Sequence, residues 1–265
     1  MNGGEVLVET LQVHGVDTVF FVPGGTFVTA LEALSRRVNK IRAVATRLES
    51  SATFAADAYA AIRRRPACVF VSRGPGASNA AIGVHTAMQA SRPMVLFVAN
   101  IPRSLKQREA FQELDYQSMY TSIAKAVFDV NSFDEVSPVT ARALELARSG
   151  RPGPVVVSVS KDVLDGRTGE APIVGPSAGV RLGPDTRAIA RAAKLIESAE
   201  HPVIVAGEMV RFEACHDELE RFAEHIGAGV FGAHLLPDVI DRDHPGYFGQ
   251  LSLNRIGFQK RALDE

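Results

Sequence analysis

Residues 47–62 read RLESSATFAADAYAAI and place one carboxylate, Glu49, at the start of a run of small side chains. A glutamate that is shielded from water can hold or share a proton in general acid–base catalysis. A solvated glutamate at the same position would only complement the positive end of a helix dipole. These sixteen residues alone leave both interpretations open.

Two glycine turns supply a second candidate feature. Residues 23–25 read PGG and residues 74–76 read GPG, and each turn separates an apolar run from an alanine-rich segment. Such turns place backbone N–H groups and little side-chain bulk at the carboxyl edge of a sheet, where open α/β sheets bind ligands. Both turns are therefore predicted to border a ligand site.

The second turn also allows a dinucleotide interpretation, which would make the protein an NAD-dependent oxidoreductase. That interpretation is weak, because Asn79 stands where the third glycine of G-x-G-x-x-G belongs and the next apolar run ends in Asn100 rather than an acid. Pro75 also lacks the N–H that a pyrophosphate would use. A simple connection between strand and helix is a further alternative.

Six apolar runs alternate with longer alanine-rich segments. The runs are apolar on both faces, which is typical of parallel strands covered by helices. Strand–helix repetition of this kind predicts a doubly wound, mostly parallel α/β fold. The predicted strands are 18–22, 41–45, 67–71, 94–99, 126–130 and 154–159, and the predicted helices are 4–14, 26–37, 49–63, 77–90 and 134–149.

A Gly- and Pro-rich segment, residues 161–185, interrupts this alternation. We predict a first domain over 1–165, a linker over 166–185 and a second α/β domain over 186–265. The second domain is predicted to contain helices at 185–199 and 211–226 and strands at 202–207 and 228–232. Two strands and two helices do not close a covered sheet, so this domain is expected to be incomplete.

Composition excludes several classes of partner. The formal net charge is −1 without a long run of one sign, which argues against nucleic acid and anionic membranes. Cys68 and Cys215 are far apart and have no metal-binding spacing. No apolar stretch approaches the length of a membrane span, and acids stand where a signal peptide would be apolar. The sequence therefore predicts a cytoplasmic protein.

Five motifs follow one another along the chain: VPGG, RLESSATFAADAYA, SRGPGASNAAIGVHTAMQASRPMVLFVANIPR, REAFQELDYQSMYTSIAKAVFDV and GRPGPVVVSVSKDVL. In this order they resemble the pyrimidine-binding domain of thiamine-diphosphate enzymes, and most of all the acetolactate synthase-like group. The resemblance covers residues 4–165 and continues more loosely through RAAKLIESAEHPVIVAGEMV and HPGYFGQLS, which look like part of that group's central domain.

The resemblance gives Glu49 a catalytic role. It implies that this carboxylate hydrogen-bonds N1′ of the cofactor's aminopyrimidine and promotes the imino tautomer, whose imino group removes the C2 proton of the thiazolium to form the ylid that attacks a 2-oxo acid. We expect burial against apolar walls to outweigh the helix dipole in setting the protonation of Glu49. The small residues Ser50, Ser51, Ala52 and Ala55 would then let a flat ring and a second subunit approach.

The same resemblance assigns further site residues. Pro75, Gly76 and Asn79 match the turn that lies against the pyrimidine, and Gly25 matches the turn beside the reacting carbon. Phe111 and Gln112 match residues that face the substrate in the acetolactate synthase-like group, and Lys125 matches a basic residue near the entrance to the substrate site. The alternative for Gln112 is a structural amide on a loop, and the alternative for Lys125 is an ordinary solvated lysine.

Two positions depart from the family pattern, which commonly has His before the glutamate and Gln after it, where this chain has Leu48 and Ser50. The donor and acceptor substrates, a small 2-oxo acid or aldehyde, are therefore left open.

The family's Gly-Asp-Gly…Asn motif, which holds Mg²⁺ and the diphosphate, does not occur in these 265 residues. No metal ligand is predicted in this chain, and FAD binding is left undecided. We expect a homodimer or homotetramer of a longer enzyme, or a partner chain that supplies the diphosphate domain. A non-catalytic module with the same fold is the alternative.

Overall fold

The computed structural model describes residues 1–166, 172–177, 183–254 and 257–264. The chain forms two compact units, Met1–Ser177 and Ala178–Glu265.

Unit 1 is built on a six-stranded sheet in which every neighbouring pair is parallel. Its order is β2-β1-β3-β4-β6-β5. Each strand lies within one residue of its predicted bounds at both ends, which confirms the doubly wound α/β fold. The strands are β1 (Thr18–Phe21), β2 (Arg42–Ala45), β3 (Ala67–Ser72), β4 (Met94–Asn100), β5 (Ala126–Val130) and β6 (Pro154–Ser160).

The described residues of unit 1 form seven α-helices, five of which lie between consecutive strands. They are α1 (Gly3–Val13), α2 (Val28–Ser35), α3 (Glu49–Arg63), α4 (Gly74–Gln89), α5 (Tyr116–Tyr120), α6 (Val136–Arg148) and α7 (Lys161–Asp165). The sequence analysis missed the two short helices α5 and α7. Helix α4 begins three residues before its predicted start. Pro75 is tolerated there because backbone N–H groups in the first turn of a helix have no acceptor within the helix, so the missing N–H of proline costs no hydrogen bond.

Helices cover both faces of this sheet and form two apolar cores. Phe70, Phe97 and Val157 point to the face that α1, α2 and α6 cover. Val69 and Leu96 point to the opposite face, against α3 and α4. The strands β4 and β6 are buried along their whole length, which explains why their sequences lack polar alternation.

The site-forming edge is fixed by the strand order. Strand β1 pairs with β2 on one side and with β3 on the other, so the chain reverses its direction of winding between these strands. A crevice opens at such a switch point, beyond the carboxyl ends of the strands. Both glycine turns follow the two strands at this switch point, since 23–25 comes after β1 and 74–76 comes after β3.

Unit 2 contains a parallel three-stranded sheet of order β7-β8-β9. Its elements are α8 (Thr186–Glu197), β7 (Val203–Ala206), α9 (Glu208–Phe212), α10 (His216–Ile226), β8 (Gly229–Gly232), β9 (Tyr247–Gln250) and α11 (Gly257–Asp264). The prediction of one helix over 211–226 was wrong, because the chain breaks at Ala214, whose φ is 59°. The prediction of only two strands was also wrong, since β9 pairs with β8.

The predicted linker is only partly described, since 167–171 and 178–182 lie outside the described residues. Its middle packs on unit 1. The Val174 amide donates to Ser137 Oγ at 2.8 Å, and Ser177 Oγ donates to Glu145 Oε1 at 2.6 Å. Residues 172–177 are therefore part of unit 1, while the predicted domain bounds themselves stay a prediction.

Across the described parts of the chain, no helix is both long enough and apolar enough to cross a membrane.

Candidate active site

Glu49 is the first residue of α3 and lies at the carboxyl edge of the sheet. Its Oε2 accepts a hydrogen bond of 3.0 Å from Asn79 Nδ2, on the second turn of α4. Its Oε1 has no hydrogen-bond partner among the described residues. The side chain is only half-buried, so the apolar enclosure expected from the sequence is not supplied by this chain alone. The carboxylate is thus held from one side and open on the other.

Gly76 keeps the open oxygen of Glu49 accessible. A Cβ at this glycine would lie 3.3 Å from Glu49 Oε1 and 3.6 Å from Ser72 Cβ. Any side chain longer than a methyl group would therefore fill the space beside the carboxylate. Pro75, one residue earlier, is exposed at the same turn.

The two glycine turns are joined by a hydroxyl pair that sequence reasoning missed. Thr26 Oγ1 and Ser72 Oγ lie 2.9 Å apart, and Gly24 packs so closely on Ser72 that a Cβ would lie 2.2 Å from Ser72 Oγ. Gly25 differs, since nothing lies within 4 Å of its Cβ position. The first turn thus leaves an open space beside Gly25. The available signal was a hydroxyl residue directly after the first turn, Thr26, and another two positions before the second, Ser72.

Helices α3 and α4, which carry Glu49 and Asn79, touch at a glycine. A Cβ at Gly83 would lie 2.0 Å from Thr53 Oγ1. Ala52, Ala56 and Ala60 are buried along this contact side of α3. The expectation that all four small residues leave room for a ring or a second subunit therefore needs a correction. Ala52 packs inside the chain, while Ser51 is exposed and Ser50 and Ala55 are half-buried.

A loop over residues 101–115 brings Phe111 and Gln112 to the second glycine turn. The Gly74 amide donates to the Gln112 carbonyl at 3.1 Å, and a Cβ on Gly74 would lie 2.9 Å from that oxygen. The Phe111 side chain is 76% exposed. These contacts place both residues beside Gly74. They also occupy the Gly74 N–H, so this turn has no free amide there for a dinucleotide pyrophosphate.

Glu113 holds this loop in shape, a function that the sequence analysis did not identify. Its carboxylate accepts the Gln107 amide at 2.5 Å and the Ala110 amide at 3.0 Å. These backbone hydrogen bonds hold the pKa of Glu113 below its usual range. The loop needs such support because Gln107, Glu109 and Gln112 adopt left-handed backbone angles with φ of 61°, 52° and 64°.

Lys106 ties the start of the same loop to the sheet. Its Nζ donates to Asp129 Oδ2 at 2.7 Å and to Asn131 Oδ1 at 2.6 Å. Burial raises the pKa of Asp129, but hydrogen bonds from Lys106, Asn131 and Ser158 outweigh it, and the pKa lies below its ordinary value. A cavity of about 270 Å³ adjoins this network, and Glu49 does not line it.

Lys125 lies at the opposite edge of the sheet, just before β5 begins. Its Nζ donates to the carbonyl oxygens of Leu146 and Ser149 at 2.6 and 2.7 Å. The structure therefore does not bring Lys125 together with Glu49, and these contacts give no support to a substrate role. Burial holds the pKa of this ammonium below its usual range.

The residues at the switch point fit an aminopyrimidine ring. A carboxylate with one open oxygen can accept from or share a proton with a ring nitrogen, and the space beside Gly25 and Gly76 admits a flat group. Among the described residues, no group of three or more His, Cys, Asp or Glu side chains is arranged to hold a metal ion.

Comparison with known proteins agrees with this geometry. The family profile "Thiamine pyrophosphate enzyme, N-terminal TPP binding domain" matches residues 1–119. The profile "Thiamine pyrophosphate enzyme, central domain" matches residues 189–265. The chain belongs to the thiamine pyrophosphate enzyme family.

Curated relatives carry a more particular name. A probable acetolactate synthase large subunit of Methanococcus aeolicus is 32% identical over 96% of this chain and 43% of its own length. The acetolactate synthase large subunit of Parasynechococcus marenigrum is 31% identical over 100% of this chain and 44% of its own. That of Corynebacterium glutamicum is 32% identical over 95% and 42%. The chain thus spans less than half the length of these relatives.

Proposed function

We propose that this chain provides the pyrimidine-binding half of a thiamine-diphosphate site for acetolactate synthase-like decarboxylation and carboligation of a 2-oxo acid. The observation that carries the proposal is the carboxylate of Glu49, fixed by Asn79 at 3.0 Å through one oxygen and left open at the other. The names of the relatives support the reaction class.

When bound, thiamine diphosphate supplies a carbon nucleophile and accepts the electron pair that decarboxylation releases. In this proposal Glu49 Oε1 shares a proton with the ring nitrogen, and Asn79 holds the carboxylate in position for that exchange. Gly76 keeps the approach to Oε1 free of side-chain atoms. Phe111 and Gln112 face the 2-oxo acid from the loop that docks on Gly74.

The proposal includes a second half-site. We infer that Mg²⁺ and the diphosphate are held by a separate domain, in a homodimer or homotetramer of a longer chain or in a partner chain. Glu49 would then obtain its apolar enclosure from that domain, which explains its partial exposure here. A cytoplasmic setting belongs to the same proposal and is supported by two cysteines that are both free thiols.

The test uses the full-length protein that carries this chain. We expect saturable binding of thiamine diphosphate in the presence of Mg²⁺ by isothermal titration calorimetry, and release of CO₂ from pyruvate only when the cofactor is present. Absence of cofactor binding, or turnover without it, would contradict the proposal. Saturable binding of NAD instead would favour the oxidoreductase alternative.

A further inference from the structure

Arg73 stands between the second glycine turn and the loop over 101–115. It precedes Gly74, the first residue of α4. Its guanidinium carbon lies 5.7 Å from the centre of the Phe111 ring, and Nη1 donates to the Phe111 carbonyl at 3.4 Å. The cation therefore borders the same space as the two residues that are proposed to face substrate.

This guanidinium has unused hydrogen-bonding capacity. In the described parts of the chain Arg73 forms no salt bridge, and its Nε is buried without a hydrogen-bond partner. Arg103, in the loop over 101–115, differs from Arg73, because its Nε donates a hydrogen bond to Asp162 at 2.7 Å. The Nη2 group of Arg73 has no hydrogen-bond partner among the described residues either, and because the side chain is only partly buried, this donor is available to an external acceptor.

The chemistry of the position selects an anion. A guanidinium offers a planar fork of N–H donors that matches a carboxylate. The adjacent N-terminus of α4, a sixteen-residue helix, adds positive potential in the same place. Stacking on Phe111 restricts the plane of the fork and so lowers the entropy lost on binding.

We propose that Arg73 binds the carboxylate of the 2-oxo acid substrate. This inference rests on the proposed function, since it assigns a residue to the substrate of that site. Arg73 would then determine substrate specificity, because its positive charge attracts the negative carboxylate of a 2-oxo acid and has no such group to bind in a neutral aldehyde.

The experiment compares Arg73→Met and Arg73→Lys with Arg108→Met in the full-length enzyme. Arg108 is an exposed arginine on the same loop, so its replacement removes the same charge without touching the fork beside Phe111. We expect Arg73→Met to raise KM for pyruvate about 10- to 100-fold, which is the loss expected for charge-assisted hydrogen bonds. Arg73→Lys should give a smaller rise, and Arg108→Met should stay within about twofold.

Two measurements distinguish binding of the substrate carboxylate by Arg73 from structural support of the loop over 101–115. The KM of acetaldehyde as acceptor should be unchanged in Arg73→Met, because acetaldehyde carries no carboxylate. Oxamate, an unreactive 2-oxo acid analogue, should bind more weakly to Arg73→Met by a similar factor in calorimetry, without any turnover.

An unchanged KM for pyruvate in Arg73→Met, alongside an active wild-type enzyme, would overturn the inference. An equal rise for pyruvate and acetaldehyde would overturn it too, because it would show that Arg73 only shapes the loop. A wild-type enzyme without thiamine-dependent turnover would instead overturn the proposed function. Thermal denaturation of each variant checks that the fold is retained.

Discussion

Two groups of polar side chains at opposite edges of the six-stranded sheet differ in how far their hydrogen bonds are satisfied within the described chain. At the carboxyl edge, Glu49 and Arg73 each keep a polar atom without a hydrogen-bond partner among the described residues, and Phe111 is 76% exposed. At the amino edge, the Asp17 carboxylate accepts from Tyr59 and from Arg65.

The difference separates stability from function within one sheet. Polar groups that pair with each other add to the stability of the fold, whereas groups left open in a concave region are available to a ligand. Substitutions of Glu49 and Arg73 should therefore change binding and rate. Substitutions of Asp17 and Lys125, at the amino edge, should instead change the free energy of unfolding. A variant of either group that shows the other group's effect would contradict the comparison.

The largest effect is expected for Glu49→Gln in the full-length enzyme. The amide cannot share a proton as the carboxylate does, so turnover should fall about 10²- to 10⁴-fold. The melting temperature should not fall, because Oε1 makes no bond within the described chain. Steady-state rates measure the loss, and Glu32→Gln, an exposed glutamate on α2, is the matched control. Near-normal turnover in Glu49→Gln would remove its catalytic role.

Glu113→Gln should have the next largest effect, on substrate binding. The carboxylate accepts two backbone N–H groups, and an amide offers one acceptor oxygen for them. The loop should loosen, and KM for the 2-oxo acid should rise about tenfold while kcat and cofactor affinity stay nearly constant.

Glu109→Gln is the control for that experiment, since Glu109 is an exposed glutamate of the same loop whose side chain makes no hydrogen bond to any described residue. Trypsin cleavage after Arg108 should accelerate in Glu113→Gln and not in Glu109→Gln. Indistinguishable behaviour of the two variants would show that Glu113 does not hold the loop.

Lys125→Met tests the amino edge. The substitution removes two hydrogen bonds to carbonyl oxygens at the end of α6, and the free energy of unfolding should fall by about 1–2 kcal/mol. Urea denaturation measures this loss, and KM for pyruvate should not change. A raised KM with unchanged stability would return Lys125 to the substrate role that the family resemblance implied.

Asp17→Asn should give the smallest effect, and one that depends on pH. Burial raises the pKa of Asp17, but hydrogen bonds from Tyr59, Thr18 and Arg65 outweigh it and hold the pKa below its ordinary value of 3.8. A depressed pKa means that the ionised form stabilises the fold above pH 3.8, and that this contribution is lost as pH falls through the folded-state value.

The variant should therefore be less stable by about 1 kcal/mol at pH 7, and the difference should shrink below pH 3.8. Urea midpoints at pH 7 and pH 3 measure it. A difference that stays constant between these two pH values would exclude Asp17 as its source.

The strands of unit 1 were predictable because their apolar runs are uninterrupted, as in Met94–Asn100, and burial on both faces demands such runs. Strand β9 escaped prediction, because Tyr247–Gln250 is short, carries a glycine and is only partly buried. The five residues of α5 give too little periodicity to be recognised.

The site was predictable only where a residue type carries the chemistry by itself. Glu49 and the glycine turns follow strands in sequence, and the sheet brings them to one edge. The function of Glu113 could not be predicted, because its partners are backbone amides, which every residue type except proline has. The burial of Ala52 next to the exposed Ser51 was equally hidden, since an alanine-rich helix has no clear apolar face.

The contact between Gly83 and Thr53 has a consequence for how this fold could be diversified. Because a side chain at position 83 would collide with Thr53, the close approach of α3 and α4, which carry Glu49 and Asn79, depends on this glycine. Mutations of Gly83 are expected to be lost to selection together with the fold. New substrate preferences should instead arise in the solvent-facing loop that ends at Asp115, where length and sequence can vary without disturbing the hydrogen bond between Asn79 and Glu49.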